Sequence, residues 1–262
     1  MGGDLTTALL LSATAGLSTS IGSVLGLVMR KPGRRLLGMT LGFSAGVMVL
    51  VSFVELLNQG IASLEGVYEG IGFLYANLAF VAGILVFFVI DLFVPHDYEG
   101  DHDHPARLED GRLERTGILT ALGIGIHNFP EGVITFVGTL YSVELGIVLA
   151  FAIALHNIPE GLAVSAPIYA ATGSRKKAFW WSFLSGVSEP VGALLAAVIL
   201  MPLGLLTDTG IGWVLAGVAG IMVAISLDEL IPAAKELDDS NLPLLGVTAG
   251  MLVMALSLWM LH

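Results

Sequence analysis

Apolar residues fall in eight long runs separated by polar breaks, and only one of the breaks is long. The runs cover residues 5–29, 36–58, 71–93, 116–140, 143–169, 178–200, 210–231 and 242–261. A helix needs about 20 predominantly apolar residues to cross the hydrocarbon core of a bilayer, so each run predicts one transmembrane helix. The runs are rich in Gly and Pro, which membrane helices tolerate better than soluble ones. Runs four and five are joined by a very short break, which predicts an antiparallel hairpin. The long break, residues 94–115, predicts a loop. The pattern describes a single domain over residues 1–262, all-α and integral to the membrane.

Composition agrees. Of the residues 55% are hydrophobic and 13% charged, and mean hydropathy is +0.87; soluble domains carry about 25% charged residues. No basic side chain precedes the first run, and that run is too long for the core of a secretory signal. It is read as a retained span. The chain has no cysteine, which excludes disulfides and thiolate metal sites. No Gly-rich nucleotide loop is present, so ATP drive is not expected, nor is a nucleic-acid partner or a prosthetic group.

Basic residues orient the spans. Arg30, Lys31, Arg34 and Arg35 lie in the first break, and Arg107, Arg112 and Arg115 in the third. Arg175, Lys176 and Lys177 lie in the fifth, and Lys235 in the seventh. These are all 11 Lys and Arg of the chain. Odd-numbered loops are therefore expected in the cytoplasm and both termini outside, in a bacterial inner membrane. The opposite side carries Asp4, Glu65, Glu69, Glu144 and Asp208 with nothing basic, a surface that attracts cations.

The chain also repeats itself. Residues 46–56, Gly-Val-Met-Val-Leu-Val-Ser-Phe-Val-Glu-Leu, match residues 220–230, Gly-Ile-Met-Val-Ala-Ile-Ser-Leu-Asp-Glu-Leu. More weakly, Gly16, Ser18, Gly22 and Leu25 match Gly186, Ser188, Gly192 and Leu195. Matching spans are an odd number of spans apart, so the copies run in opposite directions. Spans 1–3 and 6–8 are expected to form an inverted repeat around the hairpin of spans 4–5. Such repeats are typical of secondary transporters with a midplane site.

That hairpin carries the chemistry. His127-Asn128-Phe129-Pro130-Glu131-Gly132 and His156-Asn157-Ile158-Pro159-Glu160-Gly161 are near-copies in the middle of apolar runs. Spacings of three and four put His, Asn and Glu on one helix face. Each Pro removes a backbone donor and frees a carbonyl one turn earlier. Span six adds Glu189 in Ser-Gly-Val-Ser-Glu-Pro. A charged side chain at mid-bilayer costs at least about 2.5–3.5 kcal/mol. Three carboxylates with no Lys or Arg in any span need protons or a bound cation. Two imidazoles, three carboxylates and two amides without sulfur suit Zn(II), Fe(II), Mn(II), Co(II) or Cd(II). There are more ligands than one tetrahedral ion uses, and Glu131 and Glu160 are placed to bridge two ions.

The two motifs, the Ser185–Pro190 segment and Asp228-Glu229-Leu230-Ile231-Pro232 resemble the ZIP (Zrt/Irt-like) family of divalent metal transporters, and within it a bacterial branch of broad specificity. The resemblance covers essentially the whole chain. It implies eight spans, both termini outside, metal uptake into the cytoplasm and a binuclear centre built from spans four, five and six. By position His127, Glu131 and Glu160 resemble a primary site, which His156 joins or bridges. Asn128, Asn157 and Glu189 resemble a second site that shares Glu131 and Glu160. Some members have a carboxylate where Asn157 stands. The family is also thought to move spans one, four, five and six against the rest.

The repeat places Glu55 near the outer end of span two and Asp228-Glu229 near the inner end of span seven. These are the expected carboxylates of the two mouths, with Asp91 a weaker candidate for the inner one. His96, His102 and His104, among acidic residues of the third break, are expected to hold emerging metal. Small-residue faces in several spans fit a homodimer. Two other classes stand against a transporter. A divalent channel would share the site and lack alternating access, and the inverted repeat weighs against it. An intramembrane zinc protease would carry His-Glu-x-x-His, which is absent, and a di-iron oxidase would need many more histidines inside the spans.

Overall fold

The computed structural model describes residues 3–29, 32–92 and 109–261, with side chains over 3–29, 32–92 and 118–260. Among these residues the chain forms eight helical rods and no strand. They are α1 Leu5–Met29, α2 Arg34–Glu65, α3 Gly72–Asp91, α4 Glu109–Tyr141, α5 Val143–Thr172, α6 Arg175–Leu200, α7 Asp208–Leu237 and α8 Leu242–Leu261. Seven are long and apolar enough to cross a membrane. The eighth, α4, opens on a charged stretch and carries the polar His127 motif in its middle. The chain is a helical integral membrane protein.

Several helices outrun the apolar stretches that announce them. α2 continues to Glu65 and α7 to Leu237, and α4 already begins at Glu109, inside the expected loop 94–115. Hydropathy marks where a chain leaves hydrocarbon, whereas backbone hydrogen bonding continues until a cap or breaker stops it. Glu55 and Glu229 therefore sit within long helices and not at their ends. His96, His102 and His104 of the expected metal-holding loop lie outside the described residues.

Both of these carboxylates occupy a π-helical turn. One spans Ser52–Leu56 in α2 and the other Ser226–Leu230 in α7. Each turn opens on a buried serine that bonds back one turn, Ser52 Oγ to Met48 O at 2.7 Å and Ser226 Oγ to Met222 O at 2.8 Å. Such bulges insert an extra residue into the helix and are frequent at functional sites. They also re-aim the side chains that follow.

The prolines of the motifs do not break their helices. Pro130 lies inside α4, Pro159 and Pro167 inside α5, and Pro190 inside α6. The α4–α5 turn is tight because Ser142 is extended and its side chain caps α5, accepting from Leu145 N at 3.0 Å. α5 ends at Gly173, whose left-handed φ of 62° suits glycine.

Packing divides the rods into two groups. α1, α4, α5 and α6 pack on one another, while α2 packs on α8 and α7, and α3 on α7. The most buried span is α5, 72% buried against 22% for α3; it sits in the middle and meets α2 across the group boundary. Motif glycines make the first group tight. A Cβ at Gly132 would collide with the carbonyl oxygen of Glu189 on α6, and one at Gly161 with that of Thr19 on α1. Small-residue positions such as Gly132 and Gly161 are thus used for packing within the chain.

Candidate metal centre

α4, α5 and α6 bring the seven candidate ligands into one buried region. Relative exposure is 4% for His127, 1% for Glu131 and Glu160, and zero for Asn128, His156, Asn157 and Glu189. His156 Nε2 lies 3.0 Å from Glu131 Oε1, joining the two motifs across the hairpin. The charges of Glu131 and Glu160 reach His127, His156 and Glu189. The residues on opposite helices therefore belong to one electrostatic cluster, in a region with no Lys or Arg.

The amides anchor the cluster to its neighbours. Asn128 Nδ2 donates to Ser185 O on α6 at 3.2 Å. Asn157 Nδ2 donates to Ala15 O on α1 at 3.2 Å and also to Glu189 Oε1. Both NH2 groups are thereby committed to the protein, which turns the amide oxygens elsewhere. An amide carries its acceptor and donors on one rigid plane, so fixing the nitrogen aims the oxygen.

What remains is a set of unused donors to a cation. His127 Nδ1, Asn128 Oδ1, Glu131 Oε2, His156 Nδ1, Asn157 Oδ1, Glu160 Oε2 and Glu189 Oε2 are buried without a hydrogen-bond partner. His156 Nδ1 leans toward the carbonyl of Ala152 one turn earlier, without full hydrogen-bond geometry. Each of the seven residues contributes one such atom. A buried unsatisfied polar group costs about 1–3 kcal/mol, and native interiors contain few of them. The hydroxyls of Ser12, Thr19, Ser20, Ser23 and Ser63 share that state elsewhere; the seven differ in being imidazole, amide and carboxylate atoms contributed by three neighbouring helices.

These donors are not preassembled. Among the described residues no group of three His, Asp or Glu stands together ready to hold a metal ion. Instead the side chains are paired off. Glu160 Oε1 accepts from Ser44 Oγ of α2 at 3.0 Å, and the same hydroxyl reaches His156 O at 3.3 Å. His127 Nε2 meets Glu229 Oε1 of α7 at 2.8 Å.

Two members of this arrangement were not foreseen in these roles. Glu229 was expected at the inner mouth and touches His127 directly, one turn from Gly123. Its π-helical turn turns it inward. Ser44 carries no motif; its only sequence signal is a hydroxyl on the face that α2 buries. Glu55 is 4% exposed and accepts from Gln59 Nε2 at 3.4 Å. It lines a cavity of about 150 Å³ with Gln59, Tyr141, Ser142 and Glu144, beside the α4–α5 turn. Asp228 is exposed, and Asp91 is part-buried at the end of α3.

A helical membrane domain with a buried His/Glu/Asn cluster and no basic counter-charge is a transporter architecture for cations. Comparison with known proteins names the class. Residues 99–258 match the family described as ZIP Zinc transporter. The zinc transporter ZupT of Chlorobium phaeovibrioides is 52% identical, covering 98% of this chain and 99% of its own length. That of Streptococcus mutans is 46% identical over 98% of both chains, and that of an Enterobacter species 44% identical over 97% and 96%. The chain belongs to the ZIP family, whose members are transporters and not enzymes.

Proposed function

We propose that the chain carries divalent transition-metal ions into the cytoplasm as a secondary transporter. Zinc is the first substrate, as the names of the relatives indicate, and Fe(II), Mn(II), Co(II) and Cd(II) are candidates on ligand chemistry. The observation that carries this reading is the set of seven buried, unpartnered donors, one from each of His127, Asn128, Glu131, His156, Asn157, Glu160 and Glu189. Imidazole nitrogen with carboxylate and amide oxygen is a borderline donor set. Its net negative charge, without Lys or Arg, excludes anions. With seven donors and two central carboxylates, the site holds two ions, bridged by Glu131 and Glu160.

Orientation comes from the basic residues, all in odd-numbered loops. Both termini face outward from a bacterial inner membrane, and Glu229 approaches the site from the cytoplasmic side. Alternating access is supported by the repeat. Ser52 and Ser226 open equivalent π-helical turns with equivalent bonds. α2 packs on α8 as α7 packs on α3, which is the exchange an inverted repeat requires. Two halves of opposite orientation give a scaffold in which one part can rock against the other around a central site, as in other transporters built on inverted repeats.

The test is metal uptake into vesicles reconstituted with the purified protein, for several metals and with and without a pH gradient. Wild type is expected to show saturable uptake, and Glu131→Ala to lose it. Saturable uptake that survives Glu131→Ala would overturn the site. Flux that rises without saturation would make the protein a channel.

A further inference from the structure

Several close approaches between helices come in matched pairs. Gly22 of α1 abuts the carbonyl of Ile158 on α5, and Gly192 of α6 abuts that of Phe129 on α4. Gly161 meets the carbonyl of Thr19, as Gly132 meets that of Glu189. Gly46 meets Val247 as Gly220 meets Phe80, and Gly250 meets Phe43 as Gly83 meets Gly217. Gly16 and Gly186 meet each other's carbonyls. One correspondence generates all of these contacts. It exchanges α1 with α6, α2 with α7, α3 with α8, and α4 with α5. Within it Phe129 answers to Ile158 and Gly132 to Gly161, so His127 answers to His156 and Glu131 to Glu160. The repeated segment makes Glu55 the counterpart of Glu229.

The polar contacts at the centre depart from that symmetry. His127 Nε2 is joined to Glu229 Oε1 at 2.8 Å. Its counterpart His156 is joined instead to Glu131 at 3.0 Å, while Glu55 holds Gln59 at 3.4 Å. Glu229 has a side chain 22% exposed, whereas Glu55 is 4% exposed. The backbone contacts are symmetric and the side-chain pairing is not. That is what one of two equivalent states of a symmetric scaffold would look like, with the site turned toward Glu229.

We propose that Glu55 and His156 form a second, transient metal site, the outward-facing counterpart of His127 with Glu229. This rests on the alternating-access reading above. In the opposite state His156 leaves Glu131 for Glu55, and His127 leaves Glu229 for Glu160, the counterpart of Glu131. The cavity of about 150 Å³ that Glu55 lines with Ser142 and Glu144 gives an ion a polar approach to this pair. An incoming divalent ion then meets one carboxylate and one imidazole at either mouth, the same borderline donor pair on each side. The ion passes to Glu131 and Glu160 as the pairings exchange. Equivalent capture and release sites keep the ion from being held more tightly in one state than in the other, and a ligand that binds two states equally does not trap either.

The absence of cysteine allows a direct test. Paired variants E55C/H156C and H127C/E229C are made in the full chain, with E55C/H127C as the control that neither state brings together. Each is treated with mercuric ion or a short bis-methanethiosulfonate, and cross-linking is read by mass spectrometry. Both mated pairs are expected to bridge and the control to stay free. Bridging of H127C/E229C with none of E55C/H156C would overturn the proposal. Where a pair fails to fold, or neither pair bridges, a double-mutant cycle on zinc uptake decides. E55Q and H156Q should each lower uptake, and the double variant should lose no more than the worse single one. Losses that multiply would overturn it. Cross-linking needs no transport, so its outcome is distinct from failure of wild-type uptake, which would overturn the transport reading.

Discussion

Ser44 Oγ donates to Glu160 Oε1 across 3.0 Å, tying α2 of one helix group to α5 of the other. With His127–Glu229, which ties α4 to α7 at 2.8 Å, it is a polar link across the boundary between the two groups. A hydrogen bond to a charged group contributes about 1.5–3 kcal/mol. Ser44→Ala is therefore expected to lower the melting temperature of the metal-free protein. Bound metal takes over Glu160, so the loss should shrink in saturating zinc. Thermal unfolding in detergent with a chelator and with zinc measures both. An equal loss in the two conditions would mean that Ser44 matters for packing alone.

The unpartnered donors predict a large response to metal. A ligand at 100 times its dissociation constant stabilises the folded state by about 2.7 kcal/mol. In this protein it would also satisfy seven buried atoms that otherwise have no partner. Zinc is expected to raise the melting temperature of the wild type and to leave the Glu131→Ala/Glu160→Ala double variant unchanged. Calcium, which prefers all-oxygen ligands, should do much less than zinc for the wild type. An equal response of wild type and double variant would place the ion elsewhere.

Much of this buried cluster is legible in the sequence alone. Histidines and carboxylates within hydrocarbon-length apolar runs are costly, so their position alone marks them. The helical spacing of His127 and Glu131, repeated in His156 and Glu160, and the very short α4–α5 connection indicate that they would meet. Other features depend on tertiary contacts that leave little local trace. Ser44 is one of many small polar residues in these spans, and nothing nearby distinguishes it. The contact of His127 with Glu229 depends on how α7 lies against α4 and on a π-helical turn, which periodicity does not reveal. The ends of α2 and α7 were missed because hydropathy tracks the membrane and not the helix. Nor does the sequence announce that the motif glycines Gly132 and Gly161 permit backbone contact with α6 and α1.

That contact has a consequence for substitution. A Cβ at Gly132 would collide with the carbonyl of Glu189, backbone against backbone, whereas one at Gly123 would have Glu229 Oε2 at 3.8 Å, ordinary contact distance. Overpacking costs about 1–3 kcal/mol and more where backbone must shift. Gly132→Ala is expected to separate α4 from α6, lower the yield of folded protein and abolish uptake. Gly123→Ala should fold normally. Size-exclusion profiles and melting curves of the two variants test the contrast; similar behaviour would mean that α4 and α6 are not in close contact there.

Asn157 offers the sharpest handle on how the amides serve the site. Its nitrogen donates to Ala15 O and to Glu189, and its oxygen has no partner. Aspartate has nearly the same shape but no donor. Asn157→Asp therefore removes both hydrogen bonds and sets a second carboxylate against Glu189 in a fully buried position. Two buried carboxyls side by side cannot both stay ionised without a counter-charge, so one must hold a proton; with both amide hydrogen bonds lost and this unfavourable pairing gained, the metal-free variant should be clearly less stable than wild type. A divalent ion reverses the sign of that interaction, because two carboxylates then share one counter-charge. The gain in melting temperature on adding zinc should thus be larger for Asn157→Asp than for wild type, and zinc should bind it more tightly. Calorimetric titration with zinc and paired melting curves report the two effects separately. A variant with a lower melting temperature and no extra gain from zinc would show that Asn157 holds α1 and α6 in place without facing the ion.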